Sequence, residues 1–462
     1  MRRWLLGVAF AAIAGAVFFA RPAATPGPRL RDFEAYWSAG ATWNAGDNPY
    51  GRAIWNTERT VDGVTPSRDE LLPFVGPPPT VPVWSLFARL PYDRAALLWI
   101  AVLVAALLAM VTTTLRGSAL TVKLSAFAAA LALAIGFGPL TSDLALGQIA
   151  LPAFAGAALV VVARSRWLAA IAACVAFAQP NASAGLFSVL GRNRATLAIV
   201  LGLVATYALG AFALGWSWPL AYAKVLAAHA GAERLSAIQI TPAAIAYGFG
   251  ASPPAAAWLG LAGAVVAVAT AVLIATRVRE GFARFAAFSA LVPFVAGFVH
   301  EHDLLVAYGA AVWCALRTHG TTRAVALAGT LLVAVDWLGL AQRPTGIVQS
   351  ALLALAALLA FIALGEAREW RAQWIAAAAV ALLFAMGAFI GAHHPAPVWP
   401  DALAGFRAAP AASAAQVWLE EQRAGGLLAA APAWALLRAL SLAGCALLAY
   451  AICRRPTSDR TA

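Results

Sequence analysis

Residues 95–111 read AALLWIAVLVAALLAMV, an unbroken apolar run with no charge, proline or glycine. A helix rises 1.5 Å per residue, so about twenty such residues cross the roughly 30 Å hydrocarbon core of a bilayer. Comparable runs recur near 4–20, 94–114, 121–138, 148–163, 195–214, 257–276, 284–300, 303–317, 324–341, 347–364, 374–391 and 433–453. They predict an all-α integral-membrane protein of about twelve transmembrane helices, a single polytopic domain over residues 1–462. Composition points the same way. The chain is 62% hydrophobic and only 11% charged, where a soluble domain carries about a quarter charged residues. That excludes a soluble enzyme, a disordered chain, and a β-barrel, whose strands would alternate in polarity over about ten residues. Cys174, Cys314, Cys445 and Cys453 lie in or beside apolar runs, so neither a structural disulfide nor a cysteine metal site is expected.

A net charge of +12 would suggest nucleic acid in a soluble protein. In a membrane protein it first sets orientation. Basic residues cluster at alternate ends of the runs: Arg2/Arg3, Arg116/Lys123, Arg164/Arg166, Arg192/Arg194, Arg277/Arg279/Arg284, Arg317/Arg323, Arg368/Arg371 and Arg454/Arg455/Arg460. With four acids on the same side (Glu280, Glu366, Glu369, Asp459) that face carries +14, leaving −2 for the other. The basic face is expected to be cytoplasmic with both termini inside, and no nucleic-acid partner is expected. Arg2/Arg3 and the run after them resemble a signal peptide, but an uncleaved anchor is the preferred reading. The stretch 167–191 has basic residues at both ends and is interrupted by Gln179-Pro180-Asn181. It is read as a broken re-entrant segment, because proline lacks a backbone donor and stops a helix. The alternative is a kinked ordinary span, which would make thirteen crossings and place Arg192 and Arg194 outside.

This orientation leaves three long segments outside: 21–93, 215–256 and 392–432. Binding and catalysis concentrate in such loops. In the first, Phe33, Tyr36, Trp37 and Gly40 fall at helical spacing and make an aromatic face for lipid or for the protein body. Asp32 is either the N-cap of that helix, which local sequence favours, or a carboxylate presented at the membrane surface. Glu34 lies about 200° around the helix from Asp32 and should point elsewhere. Gly46-Asp47-Asn48-Pro49-Tyr50 is a turn, and Pro73 to Pro79 a stiff extended strap. Gly138 to Asp143 and Gly147-Gln148 read as a short outer turn. His300-Glu301-His302-Asp303 sits at an outer junction, where neighbours in an extended turn rarely converge on one ion, so no metal site is expected. Asp336, inside a predicted span, is a candidate by its cost alone. His393-His394-Pro395 reads as a loop cap.

Taken in order, several of these motifs resemble glycosyltransferase family 87, integral-membrane enzymes that use polyprenyl-phosphate sugars and include bacterial mannosyltransferases. The resemblance rests on Asp32-Phe33-x-x-Tyr36-Trp37, Gly46 to Tyr50, the Pro77-Pro78-Pro79 strap, Leu98-Trp99, Gly147-Gln148, Gln179-Pro180 and His302-Asp303. Two positions depart from the family: its usual Tyr-Pro-Pro reads Gly76-Pro77-Pro78, and its Lys-Pro reads Gln179-Pro180. The resemblance implies a GT-C-type architecture and an inverting transfer of a sugar, most often mannose in the family. The partners it implies are a polyprenyl-phosphate-sugar donor, a lipid or glycan acceptor, and membrane lipids. The site would face the periplasm from the bacterial inner membrane. It carries the catalytic aspartate to Asp32, with substrate contacts at Tyr36, Trp37, Tyr50, Gln148, Gln179, His302 and Asp303. A departing phosphate needs charge stabilisation rather than a proton, for which Arg31, His300 and His302 are candidates, with Lys224 and His229 behind them. No cofactor or metal is expected, and activity is expected to survive chelation. The competing readings are a transporter or flippase of lipid-linked envelope precursors and a non-catalytic assembly protein. A transporter would show an inverted repeat and similar polar pockets on both faces.

Overall fold

The computed structural model describes residues 2–19, 29–61, 72–118, 122–337, 340, 346–364, 369–393, 406–409 and 412–454. These residues are mainly helical, with no strand among them. Five helices are long and apolar enough to cross a bilayer: Tyr92–Gly117, Asn193–Leu214, Pro253–Arg277, Trp370–His393 and Pro432–Cys453. A sixth forms if Leu124–Ile135 and Gly138–Leu146, bent by 70° at their junction, count as one span. Among the described residues, then, five or six of the twelve runs that hydropathy predicts meet that test. The other predicted runs fall largely on shorter helices such as Ala150–Val162, Gly281–Val295 and Gly320–Ala334.

Burial separates the long helices from the short ones. Pro253–Arg277 is the most peripheral of the five, with 11% of its apolar window buried, so lipid must cover it from end to end. Ala150–Val162 buries nearly every residue against Tyr92–Gly117 and Arg166–Ala176. A helix wrapped by protein can stop short of the bilayer faces, because its neighbours satisfy the backbone beyond its ends. Elsewhere Arg2–Phe19 packs on Gly346–Leu364, and Gly320–Ala334 packs on Pro432–Cys453.

The described residues of the 21–93 segment are part of the protein body. In the Arg31–Asn44 helix, Phe33 stacks on Trp99 at 5.8 Å and Tyr36 on Trp84 at 4.8 Å, both near parallel. Gly40 permits this contact: a Cβ there would meet the Trp84 carbonyl oxygen at 2.2 Å. The aromatic face therefore binds the Val81–Phe87 and Tyr92–Gly117 helices and not lipid. The proline strap runs from Pro73 without regular structure into a 3-10 turn at Pro78–Thr80. Hydroxyl donors hold it from both sides, Tyr50 on the Gly76 carbonyl at 2.6 Å and Tyr222 on the Val75 carbonyl at 2.8 Å.

Residues 138–146 are a helix and not a bare turn, with Pro139 in its first turn, where the missing N–H is no loss. In the 167–191 stretch, the Arg166–Ala176 helix stops, Gln179 is extended, and a short helix restarts at Pro180–Ser183. Segment 215–256 supplies the Trp218–Glu233 and Pro242–Gly248 helices. In the third outer segment, residues 394–405 and 410–411 lie outside the described residues, His394-Pro395 among them. A capping box between Ser413 and Gln416 then starts the Ala414–Ala424 helix.

Candidate active site

A cavity of about 440 Å³ opens where the Arg31–Asn44 helix, the proline strap, the break at Gln179 and the His300–Asp303 turn meet. Ten residues were expected at the site, and eight of them line this cavity: Arg31, Asp32, Tyr36, Gln148, Gln179, His300, His302 and Asp303. Trp37 and Tyr50 do not. The Trp37 indole donates to the Leu90 carbonyl at 3.1 Å, and Tyr50 braces the strap. Lys224 and Asp336 are also outside the lining, the latter half-buried just past the Gly320–Ala334 helix.

Asp32 is not an N-cap. The helix begins one residue earlier, at Arg31, with Leu30 as its cap residue and no side-chain cap bond. Leu30 has φ 57°, the left-handed region that costs a non-glycine residue about 1–2 kcal/mol. Gly147 (φ 77°) makes room for it, since a Cβ there would lie 2.7 Å from the Leu30 Cβ. This contact brings the 147–148 corner against the start of the helix. Gln148 Nε2 then donates to Asp32 Oδ2, while the Tyr36 hydroxyl donates to Gln148 Oε1. Asp32 is thus aimed into the cavity by a residue 116 positions away.

Glu34 is absent from the lining, as its helical angle predicts, yet it is buried and not turned to solvent. Burial pushes its carboxyl up to about 8, against the pull of Arg31 and with a further push from Asp32. It is therefore mostly neutral at pH 7.

Across the cavity, Asp303 organises the opposite wall. Its Oδ1 accepts from Gln179 Nε2 at 2.5 Å and its Oδ2 from the His300 N–H at 3.0 Å. Asn181 ties the same turn down by donating to the Phe298 carbonyl at 3.1 Å. His300 and His302 stack at 5.3 Å. The turn is not extended: a 3-10 helix at His302–Ala307 tightens it, and one ligand atom from each of His300, His302 and Asp303 lies within 4.8 Å of the others. The stated reason against convergence therefore fails. Gln179 and the His300 backbone N–H each donate to one Asp303 oxygen, which fixes this carboxylate in the turn. Burial and the neighbouring His300 push His302 down to about 3. That favours a neutral imidazole there at pH 7.

Of the third wall, sequence reasoning named His229 and missed Glu233. Glu233, fully buried, accepts from Trp418 Nε1 at 2.8 Å and Gln239 Nε2 at 2.9 Å, and lies 3.1 Å from His229 and 3.5 Å from His300. Burial alone would push its carboxyl up. The two imidazoles and the indole outweigh that and hold it at about 2. Gln239 relays the contact, its Oε1 accepting from the Val299 N–H at 2.6 Å. The i,i+4 spacing of His229 and Glu233 was visible on a predicted outer segment. Trp418, 185 positions away, was not.

Compared with known protein families, residues 74–299 match glycosyltransferase family 87. The matched stretch, just under half of the chain, is similar to that family. A family 87 sequence indicates a membrane glycosyltransferase, with a sugar donor and an acceptor. Gln148, Gln179, His229 and Glu233 fall within the match, Asp32 and Tyr36 precede it, and His300, His302 and Asp303 follow it directly. No curated protein and no solved structure matches the chain.

Proposed function

We propose that the cavity transfers a sugar, with inversion, from a polyprenyl-phosphate sugar to a lipid or glycan hydroxyl at the outer face of a bacterial inner membrane. One observation carries this reading: a carboxylate, Asp32, faces a polar wall of His300, His302 and Asp303 across one cavity, in a chain that matches family 87. The acceptor oxygen attacks the anomeric carbon and its proton passes to the Asp32 carboxylate. The bond from that carbon to the phosphate oxygen breaks, and the electron pair leaves on the phosphate. One base suffices because the leaving group departs as an anion, unlike the paired carboxylates of glycosidases. A donor with a polyprenyl tail stays in the bilayer, which suits a cavity set among apolar helices.

Purified protein in detergent should move sugar from a crude prenyl-phosphate-sugar fraction to a membrane-lipid acceptor, and should keep doing so in EDTA. No transfer from any such donor would reject the reading. Loss in EDTA that magnesium or manganese restores would make His300, His302 and Asp303 metal ligands.

The proposed topology has about twelve crossings, a re-entrant 167–191 segment, and residues 21–93, 215–256 and 392–432 outside. The split of +14 against −2 supports it. In intact cells an impermeant thiol reagent should label a cysteine placed at Ser413 and spare one at Ser458. The reverse pattern would invert the orientation.

A further inference from the structure

The Pro432–Cys453 helix brings an arginine to the cavity that no sequence motif marks. Arg438 lies in the cavity lining, 2% exposed. It sits six residues into a span whose amino end is the outer one in the proposed topology, about 9 Å along the axis. Its partners are neutral. Nη1 donates to the carbonyl oxygens of Gln239 at 2.7 Å and Ser236 at 3.4 Å, and the guanidinium lies 6.0 Å from the Trp434 ring. Nε is buried without an acceptor. No carboxylate lies within ion-pair distance of it among the described residues. Glu233, the acid of the same wall, is already shared among two imidazoles, an indole and an amide. Space is also made for the guanidinium: a Cβ on Gly248 would meet Nη2 at 2.7 Å.

A buried guanidinium without a counter-ion is costly, and such charges are kept where an anion completes them. The planar fork suits phosphate oxygens, which it can hold bidentately. Meanwhile Gln179 stands where the resemblance places a lysine, and it donates to Asp303 as a neutral amide. The cavity thus lacks the expected cation at one position and holds an unmatched one at another.

We propose that Arg438 is the cation that binds the phosphate of the lipid-linked donor. This rests on the donor class proposed above. It places the phosphate against the 236–240 segment, with the transferred sugar between it and Asp32.

Binding without turnover tests it. Farnesyl phosphate, farnesol and inorganic phosphate are titrated against the full-length protein in detergent. The parent should bind farnesyl phosphate more tightly than farnesol. Arg438→Gln should lose about 10- to 100-fold of that advantage, the range expected for a hydrogen bond to a charged group, with farnesol binding unchanged. A structural role alone would weaken both ligands together. Arg438→Lys, which keeps the charge but not the fork, should retain only part of the advantage.

If Arg438→Gln fails to fold, Gly248→Ala carries the test, since it keeps the charge but crowds Nη2 at 2.7 Å, along with the Ala435 Cβ at 2.8 Å. It should lose part of the same advantage, and an unchanged advantage in whichever variant folds overturns the proposal. If inorganic phosphate competes as well as farnesyl phosphate, in an Arg438-dependent way, the site binds phosphate whatever its source. A parent that does not distinguish farnesyl phosphate from farnesol would reject the donor class itself, a failure separable from that of Arg438.

Discussion

Asp32→Asn is expected to fold as the parent does and to transfer sugar about 10²- to 10⁴-fold more slowly, the loss typical of a removed base. That is roughly 3–5 kcal/mol of barrier. The variant discriminates because asparagine is nearly the same size and keeps an oxygen for the Gln148 amide, so the Gln148–Tyr36 chain survives. It gives up only the ability to take a proton. The cap that local sequence favoured is not the competing explanation, because the helix starts at Arg31 with no side-chain cap. What remains is a purely structural role, as the acceptor that fixes the 147–148 corner. A folded Asp32→Asn protein with near-parental turnover would establish that role and reject Asp32 as the base.

Glu233→Ala is expected to cost about 3–5 kcal/mol of stability, the range for breaking a buried charge pair from one side. Trp418 Nε1 and Gln239 Nε2 would each lose an acceptor, and His229 and His300 their shared carboxylate. Glu233→Gln should cost less, since its carbonyl can still accept from Trp418. The pH dependence has a definite sign. Folding holds this carboxyl at about 2, below its ordinary 4.5, so between those values the unfolded chain binds more protons. The contribution is complete above pH 4.5 and is lost as pH falls toward 2. Thermal melts in detergent should therefore show a large gap between parent and variant at pH 7 that narrows below pH 4.5. A gap of the same size at pH 7 and pH 3 would mean that the ionised carboxylate contributes nothing.

Both predictions depend on contacts of very different reach along the chain. The run at 95–111 became the Tyr92–Gly117 helix within a few residues of its predicted bounds, and the run at 195–214 became Asn193–Leu214. Such helices are local: apolar side chains and i→i−4 bonds need no distant partner. Pro180 interrupts its segment for an equally local reason, the missing donor. The charge asymmetry, too, is a property of the sequence alone.

Tertiary packing decided the rest. It shortened the interior helices, turned the aromatic face of the first outer helix onto Trp84 and Trp99, and tightened the His300–Asp303 turn until three side chains met. It also built the site from partners far apart in sequence: Asp32 with Gln148, Gln179 with Asp303, Glu233 with Trp418, Arg438 with Gln239. A backbone period reports which face of a helix is apolar. It does not say which carboxylate, amide or guanidinium from another helix will fill the space opposite, because that depends on packing between segments more than a hundred residues apart.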